Sequence, residues 1–309
     1  MTVQRQSIIR GPATVKLGTG PVFYDKDGVD LIFEVDRFNI DTSAFGNVDE
    51  RLNDTIARCT FTPAGEVSAA DMALLYPYQS PTIGDSIFGN TDVPLEVHSV
   101  AGTKVTIPAG AITGMPDMML SAGKTVFGAA EIMGIIKDNT ARSVANSVFD
   151  VSAVAFADTS FATANVKTVT YVGVFGSILP SIVTEDGWTV TFDVGIVEHQ
   201  VDDVGTIDAT LESVGLLAKC KPINLSESDV LGALSIQGTG VARGATRRTG
   251  VDLVITGAGS AVVLKINDAA MVEGPLRWGS AELRVGEIGF IGHRKETVGA
   301  FTDLFTVTP

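Results

Sequence analysis

The chain has few residues with which to do chemistry. Its 309 positions hold two cysteines, three histidines, two tryptophans and four tyrosines. Two cysteines cannot build a disulfide framework and suit a chain made in a reducing compartment. Basic residues are also scarce, 22 Lys and Arg against 36 Asp and Glu, for a net charge of −14. That argues against a protein that grips nucleic acid by its phosphates, but not against one that lets nucleic acid pass without sticking. Long apolar runs are missing as well. The longest uncharged stretch, TVTYVGVFGSILPSIVT at 168–184, is short for a membrane span and is broken by Gly173, Gly176 and Pro180. The segment MTVQRQSIIRGPATVKLG has no apolar core for a signal peptide. A soluble chain without membrane insertion is expected.

What the chain has in quantity is glycine, 33 residues, and apolar side chains at 45%, with only 19% charged. This composition favours many short strands and turns around real cores.

The sequence is also written twice. Shifted by 159, Val15 falls on Val174, Pro21 on Pro180, Asp27 on Asp186, Gly28 on Gly187, Phe33 on Phe192 and Val35 on Val194. With small gaps, IARCTFTP (56–63) meets LLAKCKPI (216–223), pairing Cys59 with Cys220. SAAD (68–71) meets SESD (226–229), PLEVHSVAGTKVTI (94–107) meets DLVITGAGSAVVLKI (252–266), and AAEIMGII (129–136) meets VGEIGFIG (285–292), placing Glu131 on Glu287. SVFDV (147–151) then meets DLFTV (303–307). Residues 1–157 and 158–309 each carry 11 basic and 18 acidic residues, so the halves share the charge equally. A repeat of this length means two structural units. We place copy 1 at 1–157, a small polar linker at 158–168 and copy 2 at 169–309.

Within a copy, VDLIFEVDRF alternates, with Val29, Leu31, Phe33 and Val35 on one face and Asp30, Ile32, Glu34 and Asp36 on the other. WTVTFDV repeats this with Trp188, Val190, Phe192 and Val194. Asp-Gly before each strand signals a hairpin. Long polar stretches follow, at 36–55 and 195–213, and are expected to be loops. Ser68–Asp71 and Ser226–Asp229 have the spacing of a helix-capping box, the first helix stopping by Pro77. The expected fold is all-β with one short helix per repeat, in two tandem β-sandwich or barrel domains.

No catalytic set emerges. DKDGVD (25–30) lacks the spacing of a calcium loop. SAGK (121–124) has Ser-x-x-Lys spacing without companion motifs. GTGVARG (238–244) is not followed by Lys-Ser/Thr to hold phosphate. Glu198, His199, Asp202 and Asp203 could gather as metal ligands, but copy 1 has no histidine there. Cys59 and Cys220 read as buried thiols, and no cofactor is implied. Arg243, Arg247 and Arg248 form a basic cluster in an acidic protein, either a solvated loop or a charge-complementary contact between neighbouring copies.

The order of parts resembles the major tail tube protein of long-tailed bacteriophages, in the variety with two tube domains per chain. The pairing of GNVDERLNDTIARCTF with VGTIDATLESVGLLAKC carries the resemblance, which spans nearly the whole chain once per half. It implies a non-enzymatic virion protein whose trimers form pseudo-hexameric rings. The rings stack into a hollow tube through which DNA passes during genome delivery. The implied location is the virion tail, assembled in the host cytoplasm. Implied partners are the chain itself, tail-tip or initiator, tape-measure and tail terminator proteins. On this resemblance Glu34, Asp36 and Asp193 face an acidic lumen. Residues 40–54 and 198–212, with Asp49, Glu50, Arg51, Asp202 and Asp203, stack one ring on the next. A tandem β-sandwich binding or decoration module of a virion or cell surface is the first alternative, although its site would favour clustered exposed aromatics and the chain has only two Trp and four Tyr. A hydrolase with a scattered site is the second.

Overall fold

A computed structural model describes residues 13–20, 22–42, 46–64, 69–88, 93–100, 102–121, 124–136, 147–154, 171–201, 205–234, 251–257, 262–278, 283–294, 296–297, 300–301 and 303–308. Only the main chain is described at 36–42, 46–54, 69–71, 124–125, 277–278, 283–284, 296–297 and 300–301. The first copy runs β1 (Ala13–Leu17), β2 (Val22–Asp25), β3 (Asp30–Thr42), β4 (Gly46–Phe61), β5 (Pro63–Ala64), α1 (Ala69–Leu75), a 3-10 turn (Pro77–Gln79), β6 (Val93–Ser99), β7 (Thr103–Gly114), β8 (Met118–Ser121), β9 (Lys124–Phe127), β10 (Ala130–Gly134) and β11 (Asp150–Ala153). The second runs β12 (Tyr171–Phe175), β13 (Leu179–Val201), β14 (Gly205–Pro222), α2 (Glu227–Ala233), β15 (Leu253–Gly257), β16 (Val263–Ile266), β17 (Ala270–Glu273), β18 (Leu276–Trp278), β19 (Leu283–Val285), β20 (Ile288–Ile291), β21 (Glu296–Thr297), β22 (Ala300–Phe301) and β23 (Phe305–Thr308).

The described residues are therefore mostly antiparallel β, with one short α-helix in each half. The two large sheets follow one circuit cut at different places. The first orders its strands β3-β4-β10-β7-β6-β1-β2, and the second β17-β20-β14-β13-β12-β15-β16. In the first, the cut falls between β2 and β3, where Asp25 accepts hydrogen bonds from the Gly28 and Thr62 amides and pins a bend. In the second, β13 runs unbroken through the same point, and the cut falls between β16 and β17 at the Asn267–Ala269 turn. Counting each bent pair as one strand, each circuit closes on itself as a small barrel.

Asp-Gly is not a hairpin turn in either copy. Asp27-Gly28 lies in the bend, and Asp186-Gly187 lies inside β13, where the strand changes partner from β12 to β14. The tight turns are one hairpin earlier, at Gly18 and Gly176, both with positive φ.

The two long hairpins match in register throughout. Phe33 opposes Ala57 and Phe192 opposes Leu216, each shifted by 159. Bulges fall at Asp36/Arg37 and Ile40/Asp41 in one, and at Gly195/Ile196 and His199/Gln200 in the other, again 159 apart. Repeated bulges are built features rather than accidents of pairing. This register puts Ala218 in the place of Cys59, so the expected match of Cys59 with Cys220 slips by two residues.

Copy 2 shows why the strands form. Trp188 and Val190 are fully buried while Thr189, Thr191 and Asp193 face out, the alternation of a half-buried strand. Each helix packs short and late. The start of α1 at Ser68 lies outside the described residues. In α2, Ser226 accepts from the Asp229 amide at 3.3 Å, and Asp229 accepts from the Ser226 amide at 2.8 Å, completing the expected capping box. Hydrogen bonds from the Ser226 hydroxyl and amide hold the Asp229 carboxyl below its ordinary pKa. A carboxylate so lowered stabilises the fold above the ordinary Asp range, and that contribution is lost as pH falls through the folded value. We predict that Ser226→Ala lowers stability by about 1 kcal/mol at neutral pH in urea unfolding, and that its gap from wild type narrows below pH 4.

Candidate functional site

The site with the most structure is the seam where the halves meet. It is built by strand addition. β8 and β9 lie within residues 1–157, yet β8 pairs with β13 in the second sheet, opposing Met118 to Val190, Met119 to Thr189 and Leu120 to Trp188. Sheet membership thus crosses the sequence boundary between the copies. The fit is close at Gly187, whose φ is +96°. A Cβ there would strike the Leu120 carbonyl oxygen and the Ser121 Cα, so only glycine admits β8.

Aromatic rings close the seam beneath this strand. Tyr76, just after α1, is fully buried and meets Phe192 of β13 at 5.1 Å between centroids. Phe192 in turn meets Phe305 of β23 at 5.0 Å, and Tyr76 meets Phe305 edge-on at 6.5 Å. The Tyr76 hydroxyl donates to the Pro116 carbonyl at 2.8 Å, which satisfies its polar tip. Burial pushes its pKa well above the ordinary value. Asp117 accepts from the Phe192 amide at 3.0 Å.

A second strip of copy 1 lies against β14. The Ile87 amide donates to Ala209 at 2.9 Å and the Leu211 amide to Asp85 at 3.0 Å, with Ser86 bridging Thr210. Ser86 also donates its hydroxyl to Asp208. Further along, the Leu304 amide donates to the Gln79 carbonyl at 2.8 Å. At the base of the hairpins Arg58 spans the copies, donating to Glu34 at 3.1 Å and to Glu198 at 2.9 Å.

Beside the seam is a shallow groove of about 390 Å³ lined by Met115, Asp117, Glu131, Phe192 and Asp193 among others. Three acids and one ring offer an apolar-acidic surface but no nucleophile with a base. No cluster of three or more metal-ligating side chains occurs among the described residues. His199 pairs with the Thr210 hydroxyl at 2.9 Å, His98 with Glu96 at 3.0 Å, and His293 with the Asp268 carbonyl at 3.0 Å. Burial pushes the Cys59 thiol up to about 12 and raises that of Cys220 further, so neither is a thiolate at neutral pH.

Glu34 and Asp193 occupy equivalent positions in the two hairpins and are both exposed. Glu34, however, is tied to Arg58. Asp36, Asp49, Glu50 and Arg51 lie on the strands of the first hairpin, with their main chain alone described. Asp202 and Asp203, and the cluster of Arg243, Arg247 and Arg248, lie outside the described residues. The stretches expected as loops, 40–54 and 198–212, are instead the arms of the two hairpins over their described parts: β3 and β4 pair out to Thr42 and Gly46, and β13 and β14 out to Val201 and Gly205. The seam itself went unforeseen in the sequence. Its one visible trace was Gly187 in a strand, a mark of close backbone approach.

Two glycine substitutions separate the seam from simple backbone strain. Gly28 has φ +106° with nothing within 4 Å of an added Cβ, whereas Gly187 combines positive φ with the packed β8. Gly28→Ala should cost about 1–2 kcal/mol from φ alone. Gly187→Ala should cost several kcal/mol more and release β8, seen as amide exchange at Met118–Leu120; equal losses would contradict a tight seam. Comparison of the chain with protein-family models and with curated protein sequences finds no match.

Proposed function

We propose that this protein is the structural subunit of a bacteriophage tail tube, in which three two-barrel chains form a pseudo-hexameric ring and rings stack around a DNA channel. The carrying observation is the repeated barrel with its long hairpin, present twice in one chain at a constant shift and joined barrel to barrel by strand addition. A head-to-tail joint of this kind makes a ring if its rotation closes. Ring closure also removes sheet edges that would otherwise invite aggregation.

The charge fits a conduit. A net charge of −14 gives phosphates little to hold, so DNA slides instead of binding. On this reading Glu34 and Asp193, at one register position in each barrel, line the channel, with Asp36 one step along. The arms at 40–54 and 198–212 reach the next ring. The subunit works with itself, with tail-tip or initiator, tape-measure and terminator proteins, and performs no catalysis. Its place is the virion tail, after assembly in the host cytoplasm.

Negative-stain electron microscopy across a concentration series tests this directly. Hollow tubes or rings with threefold or pseudo-sixfold end views are expected, seeded with tail-tip partners where spontaneous assembly is slow. Monomers that persist even with those partners overturn the reading. Charge reversal at Glu34 and Asp193 together should leave assembly intact and slow genome delivery; unchanged delivery removes the lumen role of these acids.

A further inference from the structure

We infer that the β18–β19 hairpin is a docking strand for the β3 edge of a second copy of this chain, repeating between chains the seam that β8–β9 makes within one. The inference rests on the head-to-tail reading above and names the residues that join one chain to the next.

The first observation is that the chain carries the donor twice. β8 and β9 oppose Met118 to Phe127, Met119 to Val126 and Leu120 to Thr125. β18 and β19 oppose Leu276 to Val285, Arg277 to Arg284 and Trp278 to Leu283. Every one of these positions is related by a shift of 158. The hairpins also sit alike between flanking strands. The Gly128 amide donates to the Asp117 carbonyl at 2.8 Å, and the Gly286 amide to the Pro275 carbonyl at 2.9 Å, again 158 apart. β8 goes on to pair with β13. Among the described residues, β18 pairs with β19 alone.

The second observation is that the acceptor is also present twice, and one has no described strand along its outer edge. β13 is flanked by β14 on one side and by β12 and β8 on the other. Its counterpart β3 ends its sheet, with β4 on one side and no described strand on the other. Gly187 is filled by β8, and the equivalent Gly28 faces open space. Trp188 and Val190, opposite the added strand, are fully buried, while the equivalents Val29 and Leu31 are only partly so. Phe192 is covered by Phe305 and by Tyr76 from the other copy. Phe33 has the matching ring, Phe149 at 4.1 Å, with no third ring against it among the described residues, and both remain more than a third exposed. The residue equivalent to Tyr76 is Leu234, after α2, which the next chain would bring.

Transferring the register gives the contact. Leu276 would oppose Leu31, Arg277 would oppose Asp30, and Trp278 would oppose Val29. Two apolar pairs flank one pair of opposite charge, a favourable cross-strand set. Main-chain bonds from strand addition supply affinity, and the side chains fix register. The inter-chain seam also lacks one hydrogen bond: Pro275 replaces Asp117, so no carboxylate is available for the Phe33 amide.

The exposed edge tells against two other occupants. A disordered peptide could add to β3, but nothing would then account for the second donor hairpin, in which β18 pairs with β19 alone among the described residues. A symmetric β3–β3 dimer would likewise leave β18 unused.

The test is cysteine cross-linking in the full chain. Native Cys59 and Cys220 are buried and stay silent. Opposed residues in antiparallel strands lie close enough for a disulfide. Asp30→Cys with Arg277→Cys should give covalent dimers and trimers under mild oxidation or a short bismaleimide, with each single variant giving none above background. Asp30→Arg should reduce assembly by light scattering at least tenfold, and adding Arg277→Asp should restore it; circular dichroism checks that each variant folds. Absence of covalent oligomers from the double-cysteine chain overturns the seam, whether the protein stays monomeric or assembles through other surfaces. The two readings fail separately. Tubes without the cross-link discard this seam and keep the tube, whereas cross-linked chains that never form hollow rings keep the seam and discard the tube.

Discussion

Everything in this molecule turns on an exposed strand edge. A two-stranded hairpin longer than the barrel it grows from leaves one outer strand without a partner. In copy 2 that edge is covered by four residues, Met118–Ser121, sent across from copy 1. The close approach of this strand demands glycine at 187, and its own Met118 and Leu120 are fully buried. Burying a side chain of this size is worth roughly 2–3 kcal/mol, so the added strand stabilises the seam through its own apolar side chains as well as through its hydrogen bonds. The hydrophobic core is correspondingly one cluster running through both halves.

The same constraint explains why two nearly identical hairpins look different. The alternation in VDLIFEV and WTVTFDV is equally clear, yet only the second is buried as written. Phe33 and Val35, on the apolar face, are both more than a third exposed. Their pattern is that of a half-buried strand, and the described residues leave that face partly uncovered. An apolar edge of this kind is a hazard in a monomer, and a natural feature of a chain whose neighbour supplies the cover.

The sequence carried the repeat, the strand-rich class and the helix in each half, because a period of 159 survives without gaps along the first strand. Finer matching failed in a systematic way. Cys59 against Cys220 and Glu131 against Glu287 are each displaced by two residues from the paired register, in which Ile132 and Cys59 correspond to Phe290 and Ala218. A slip of two keeps every side chain on its own face, so hydrophobic pattern cannot detect it. The polar stretches at 36–55 and 195–213 read as loops for a related reason. In copy 2 the described part of β13 beyond Ile196 has mostly exposed side chains. That arm has no core to face and so leaves no period in its sequence, while on β14 Ala209 and Leu211 are buried where the strand meets Asp85–Ile87, a contact with copy 1 that the sequence does not announce. The seam was the least legible part, because MMLS is too short to announce its partner.

Duplication within one chain has a consequence for specificity. Identical subunits with one barrel each would make every seam in a closed assembly the same. Here the seam inside the chain has Tyr76, Asp117 and a buried Trp188, whereas the corresponding positions for a seam between chains are Leu234, Pro275 and Val29. Replacing a ring with a polar handle by leucine, and a hydrogen-bonding carboxylate by proline, removes directional contacts but keeps apolar ones. The covalent link makes the internal seam form at high effective concentration. The external one, with fewer directional bonds and an Asp30–Arg277 charge pair in place of Thr189–Met119, depends on concentration and salt. Chains of this design would fold completely before they join, and the weaker seam would decide when assembly begins.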